Sequence, residues 1–139
     1  MIVLYAAVKL AAYSLWCWAG LRAFRPEKAG LKFALALGAL RLCMGLFFGA
    51  GIFLAGTLAA SALRSQLLVY LLVYAPVRWV EWALIDALID PAPVRFASLA
   101  RGADARRRGW RLRGILLSCL ADLPMILSIG GLPLGRFMC

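Results

Sequence analysis

Long apolar runs alternate with short polar segments along this chain. The apolar runs cover residues 2–21, 33–57, 67–90 and 114–134. About 20 predominantly apolar residues in a helix cross the hydrocarbon core of a bilayer, so each run is long enough to be a transmembrane helix. The pattern predicts an all-α integral membrane protein, a bundle of four transmembrane helices that forms a single membrane domain over residues 1–139.

The first apolar run lies at the N-terminus, where a secretory signal peptide is the competing interpretation. A signal peptide carries its positive charges before the apolar part. In this chain no basic residue precedes the run, and the first basic loop begins after it, at Arg22. We therefore expect the run to be retained as the first helix.

The composition agrees with a membrane location, because 65% of the residues are hydrophobic whereas soluble domains contain about 45–50%. The formal net charge of +10 would indicate nucleic-acid binding in a soluble domain. Here the basic residues concentrate in segments 22–32 and 91–113, as expected of loops on the cytoplasmic side of a membrane. We expect these two loops in the cytoplasm, both termini outside, the inner (plasma) membrane of a bacterium as the location, and no nucleic-acid partner.

The basic segment Arg95–Arg113 has a second interpretation besides setting the topology. Clusters of Lys and Arg next to a transmembrane helix attract anionic lipid headgroups. Membrane lipids, and anionic headgroups at this segment in particular, are therefore the expected partners.

The third run differs from the others because it contains charged residues that recur at helical spacing. Residues three and four apart share one face of a helix, and ionisable groups at membrane depth usually face the bundle interior. The spacing predicts a polar interior stripe formed by Tyr70, Tyr74, Arg78, Glu81, Trp82 and Asp86.

At membrane depth the predicted helices contain three cations, Lys9, Arg41 and Arg78, and three anions, Glu81, Asp86 and Asp122, so the membrane interior is expected to be formally neutral. An unpaired charge in a medium of low dielectric constant is costly, which favours ion pairs between helices. The expected pairs are Arg78 with Glu81, Arg41 with Asp86, and Lys9 with Asp122. Such pairs can also serve only to fix helix register.

The charged interior leads to a first functional hypothesis, a site for an anionic lipid or similar amphiphile in a lipid-modifying enzyme or a carrier. Arginine binds phosphate and carboxylate in a bidentate manner, and a buried carboxylate can act as an acid or base. The chain has no histidine and no metal-ligand spacing, so no metal or cofactor is expected and the reaction type stays open. The candidate acid–base residues are Glu81, Asp86 and Asp122, and the candidate binding residues are Arg41, Arg78, Tyr70, Tyr74, Trp82 and Lys9.

Two other hypotheses come from different functional classes. Small residues allow close contact between helices in lipid, and glycines at 38, 45, 49 and 56 lie near one face of the second helix. That face would be the subunit contact of a small homo-oligomeric, proton-coupled transporter or channel. Alternatively, the polar stripe docks a helix of a larger membrane complex, and the chain is a non-catalytic membrane subunit or assembly factor.

Overall fold

A computed structural model of the chain describes residues 2–62, 66–91 and 104–129, and these residues form four α-helices. Helix α1 covers Ile2–Phe24, α2 covers Leu31–Ala62, α3 covers Gln66–Ile89 and α4 covers Ala105–Ile129. A short 3-10 turn, Pro26–Lys28, connects α1 to α2. The predicted all-helical fold with four long helices is confirmed for the described residues.

The start of α4 is the main departure from the predicted helix boundaries. The fourth helix was expected to begin at residue 114, but it begins at Ala105 and includes residues assigned to the polar loop. Asp104 explains this start, because its Oδ1 accepts a hydrogen bond of 2.7 Å from the backbone N–H of Arg107. An Asp before the first turn satisfies a backbone donor that has no partner within the helix. The rest of that predicted loop, residues 92–103, and the predicted helix end at 130–134 lie outside the described residues.

The four helices enclose a common interior. Helix α1 packs against α2 and α4, and α3 packs against the same two helices. Buried apolar side chains fill the half of the interior nearer the α1–α2 turn. This core consists of Tyr13, Cys17, Leu21, Ala34, Leu37, Trp82, Ile85, Ile89 and Trp110.

Within the residues that the structure describes, two helical segments are long and apolar enough to cross a membrane. They are Val3–Phe24 and the first part of α2, Leu31–Gly49. Helix α3 also has the length and carries three charged residues.

The turn between α1 and α2 and the facing ends of α3 and α4 lie at the same end of the bundle. Arg25, which follows α1, donates a hydrogen bond of 2.8 Å to Asp90, which follows α3. Asp90 also pairs with Arg107 in the first turns of α4. The described parts of the two basic segments therefore meet at one end, as the alternation of four helices predicts.

Candidate functional site

The polar residues of α3 face the interior of the bundle. Their spacing of three and four residues aligns them on one side of the helix. The described members of the stripe are no more than 3% exposed: Tyr74, Arg78, Glu81, Trp82 and Asp86. Tyr70 lies in α3, but its side chain is not among those that the structure describes.

Asp122 of α4 is the centre of a buried ionic contact with α1 and α3. Its Oδ1 accepts a hydrogen bond of 2.7 Å from the Tyr5 hydroxyl and lies 2.6 Å from Lys9 Nζ. Its Oδ2 forms an ion pair with Arg78 Nη2. The predicted Lys9–Asp122 pair is therefore confirmed, and Arg78 adds a contact to Asp122 that the sequence did not predict.

Arg41 of α2 forms a second buried ion pair. Its Nη2 lies 2.6 Å from Glu81 Oε2, and its guanidinium carbon lies 4.9 Å and 5.3 Å from the ring centres of Tyr13 and Trp82. The predicted pair of Arg41 with Asp86 was wrong, because the α2–α3 register places Arg41 beside Glu81 instead.

The two ion pairs belong to one cluster. Glu81 interacts electrostatically with Lys9 and Arg78 as well as with Arg41. All four helices contribute to this group, which we call the inner cluster: Lys9, Arg41, Arg78, Glu81 and Asp122.

A second ionic group, the end cluster, lies where α3 ends and α4 begins. Asp86 contacts Arg107 at 3.0 Å and Arg111 at 2.7 Å, and Arg107 also pairs with Asp90. Two acids four residues apart, Asp86 near the end of α3 and Asp90 just after it, thus face two arginines four residues apart on α4. Asp90 completes the group by accepting hydrogen bonds from Arg25 Nε at 3.1 Å and Nη2 at 2.8 Å.

The contacts of Arg25 keep it charged. Its hydrogen bonds to Asp90, and a further one to Glu27, raise the pKa of the guanidinium above its usual value. The hydrogen bond from Arg25 also lowers the pKa of the Asp90 carboxyl, so the contact between the turn after α1 and the end of α3 is lost only in acid, when Asp90 is protonated.

The structure changes the expected charge balance of the interior. Asp86 was counted among the anions that neutralise Lys9, Arg41 and Arg78, but it is neutralised by Arg107 and Arg111 of α4. Among the described side chains, the inner cluster then contains three cations and two carboxylates, all no more than 3% exposed. The cluster carries one positive charge in excess.

Some polar atoms beside the inner cluster have no hydrogen-bond partner within the described part of the chain. They are Arg41 Nε, Tyr13 OH and Ser14 Oγ, all buried. A buried donor without a partner costs about 1–3 kcal/mol, and more when it is charged. The region around Arg41 thus has hydrogen-bonding capacity that an additional polar group could use.

The glycine face of α2 is engaged within the same chain. A Cβ atom at Gly38 would lie 2.2 Å from Ser14 Oγ and 2.7 Å from Ser14 N of α1. Gly45 and Gly49 are also buried. The assignment of this face to a contact between subunits is therefore wrong at Gly38, where it forms the α1–α2 contact.

Ser118 next to the clusters has a structural role. Trp82 Nε1 donates a hydrogen bond of 3.1 Å to Ser118 Oγ, and this hydroxyl donates to the Gly114 carbonyl at 2.9 Å. The hydroxyl proton is thereby directed to the backbone and not to a base. Among residues 2–62, 66–91 and 104–129 no three His, Cys, Asp or Glu side chains come together in a group that could hold a metal ion.

Arg107 and Arg111 are the site residues that sequence reasoning missed. They were assigned to a loop because arginine is dense in this segment. Two signals were present in the sequence: the four-residue spacing of Arg107 and Arg111 matches that of Asp86 and Asp90, and Asp104 precedes them as a helix-capping residue.

Comparison with known proteins does not assign the chain to a family. No family model matches the chain, and neither the curated proteins nor the solved structures contain a significant match.

Proposed function

We propose that this chain is an integral membrane protein that binds the anionic group of a lipid or similar amphiphile at its inner cluster. The observation that carries the proposal is the charge of the inner cluster, which contains three buried cations, Lys9, Arg41 and Arg78, and two buried carboxylates, Glu81 and Asp122. An uncompensated charge in an apolar interior is strongly unfavourable. One bound anionic group would neutralise the cluster.

Arg41 is the residue best suited to contact the ligand. Its Nη2 pairs with Glu81, while its buried Nε has no partner in the described part of the chain. Guanidinium groups bind phosphate and carboxylate oxygens through two parallel N–H donors. The unpaired hydroxyl groups of Tyr13 and Ser14 are further donors on α1.

The outer surface of the helices supports immersion in lipid. Large apolar side chains are exposed on every helix, among them Val3 on α1, Phe47 on α2 and Leu72 on α3. The charged residues of α3 are instead buried against the other helices. A surface that is apolar outside and charged inside is typical of a membrane bundle, because lipid cannot solvate charges.

Binding or carrying a ligand is better supported than group transfer. The described serines show no hydroxyl that donates to a carboxylate: Ser118 donates to a backbone carbonyl, and Ser14 Oγ has no partner. A nucleophilic mechanism requires a base within hydrogen-bonding reach of the nucleophile. Glu81, Asp86 and Asp122 hold cations in this arrangement, so their proposed role is to position the arginines and Lys9.

Native mass spectrometry after gentle extraction from membranes tests the proposal, because it reports subunit number, bound lipid and protein partners together. We expect a monomer with one tightly retained anionic lipid. Arg41→Met, which keeps the length of the side chain but removes the charge, should lose this lipid. Lys32→Met removes one exposed charge from the same helix and should retain it.

Other outcomes would replace the proposal. Equal lipid retention in Arg41→Met and wild type would contradict the site. A lipid-free dimer or larger ring would favour the homo-oligomeric transporter or channel. A second polypeptide at constant stoichiometry, again without lipid, would favour a non-catalytic subunit or assembly factor of a larger complex.

A further inference from the structure

The first turns of α4 carry arginines on two different faces. Arg107 and Arg111 face the bundle and hold Asp86 and Asp90 in the end cluster. A second set is exposed and forms no ion pair with any described residue: Arg106, Arg108 and Arg113. The structure therefore separates the arginines of this segment into a set held in ion pairs and a set whose charges are not paired within the described residues. Of the second set, Arg106 also lies over the Phe24 ring, 5.4 Å from its centre.

The exposed arginines adjoin a stripe of exposed leucines on the same helix. The leucines are spaced by four, four and three residues, which places them on one side of α4. They are Leu112, Leu116, Leu120 and Leu123, each more than 40% exposed. By helical geometry Arg106 and Arg113, seven residues apart, flank one side of this stripe and Arg108 flanks the other. We call this surface the outer α4 face.

We propose that the outer α4 face binds the anionic headgroups of phospholipids, with its leucine stripe in the acyl layer below them. Basic side chains near the membrane surface attract anionic lipids, and arginine extends along apolar surface to place its charge at the headgroup level. This proposal concerns exposed residues at one end of the bundle and does not depend on the inner cluster.

The acidic residues near this face contact other groups. Asp104 accepts a hydrogen bond from the backbone N–H of Arg107 at the start of α4. Glu27, in the turn after α1, pairs with Arg25 at 3.3 Å. The exposed arginines are thus not neutralised from these positions.

The adjoining leucines distinguish a lipid partner from a nucleic acid. A nucleic-acid surface requires cations along a polar groove or stripe, with aromatic or polar groups between them. Here the cations border a continuous aliphatic strip about three turns long. A bilayer surface is the partner that presents anions directly above an apolar layer.

The preference for anionic lipid can be measured with the full chain reconstituted into phosphatidylcholine vesicles. Electron paramagnetic resonance of spin-labelled phosphatidylglycerol and of spin-labelled phosphatidylcholine gives the fraction of each lipid immobilised by the protein. We expect phosphatidylglycerol to be preferred, and the preference to weaken as salt is added. The double variant Arg106→Gln/Arg113→Gln should reduce the relative association constant by about fivefold per charge at low salt.

Two matched variants separate a specific face from general basicity and from misfolding. Lys28→Gln/Lys32→Gln removes the same charge from exposed positions at the same end of the bundle and should largely keep the preference. Arg106→Lys/Arg113→Lys keeps the charge and should also keep the preference for phosphatidylglycerol. The proposal would be overturned if the two glutamine variants lost the preference for phosphatidylglycerol equally, or if the wild type showed no such preference. A second result would also overturn the proposal: no lipid preference, together with salt-sensitive binding of a single-stranded RNA that is lost in the variant lacking Arg106 and Arg113.

Discussion

Asp122 joins three of the four helices through a single carboxylate. Tyr5 and Lys9 approach it from α1, and Arg78 approaches it from α3. Removing one partner of a buried ion pair is costly mainly because the remaining charge is left uncompensated. The negative charge of Asp122 therefore stabilises two cations at once.

Asp122→Asn should destabilise the protein strongly, because it keeps the size of the side chain but leaves Lys9 and Arg78 without their shared anion. We expect a loss of about 3–5 kcal/mol in the free energy of unfolding, measured by reversible denaturation in mixed micelles. The additional substitution Lys9→Met should recover part of the loss, since it removes one of the two cations.

The control for this substitution lies on the same helix. Asp104 is exposed and serves as the helix cap, a position at which Asn is as favourable as Asp. Asp104→Asn should change stability little. Similar stabilities of the two asparagine variants would show that the inner cluster does not require the charge of Asp122.

At the scale of the helices, the contact between α1 and α2 depends on a missing side chain. Gly38 approaches the backbone of Ser14 so closely that a Cβ atom would lie 2.7 Å from Ser14 N and 2.8 Å from its Cα. Backbone atoms cannot move aside as a flexible side chain does. The crossing therefore sets the position of Arg41, one turn further along α2, relative to Tyr13 on α1.

Gly38→Ala should push α1 and α2 apart and destabilise the bundle by about 1–3 kcal/mol. Thermal unfolding in mild detergent, followed by circular dichroism, measures this change. The matched control is Gly51→Ala on the same helix, where a Cβ atom meets nothing within 4 Å. That variant should be as stable as the wild type or slightly more stable, and a Gly38→Ala protein of equal stability would contradict the close crossing.

At the scale of the whole molecule, the end cluster brings both basic segments to one end of the bundle. Arg25 binds Asp90, and Arg107 binds both Asp86 and Asp90. Positively charged segments are retained on the cytoplasmic side of a membrane. The exposed residues of both segments should therefore be accessible from the cytoplasm.

Cysteine labelling tests this orientation. In a chain whose native cysteines are replaced by alanine, Lys28→Cys and Arg108→Cys introduce thiols at exposed positions of the two segments. An impermeant maleimide should label both only after the cells are permeabilised. Labelling of both in intact cells would reverse the orientation, and labelling of one alone would contradict their location at the same end.

The local pattern of the sequence was sufficient to predict the helices and the inward face of α3. Helical periodicity alone aligns Tyr74, Arg78, Glu81, Trp82 and Asp86, and the high cost of exposing charges to an apolar surrounding directs that face inward. The structure places all five inside. These features depend on residues close together in the chain, so the sequence determines them.

Apart from the Lys9–Asp122 pair, which the sequence predicted, the ion partners were decided only by the tertiary structure. Which cation meets which anion depends on the register between helices. Glu81 and Asp86 are five residues apart, so a shift of about 7.5 Å along the helix axis exchanges Asp86 for Glu81 as the partner of Arg41. The early start of α4 brings Arg107 and Arg111 to Asp86, whereas Glu81 contacts Arg41. The excess positive charge of the inner cluster follows from this packing, because composition counts charges but does not assign them to neighbours.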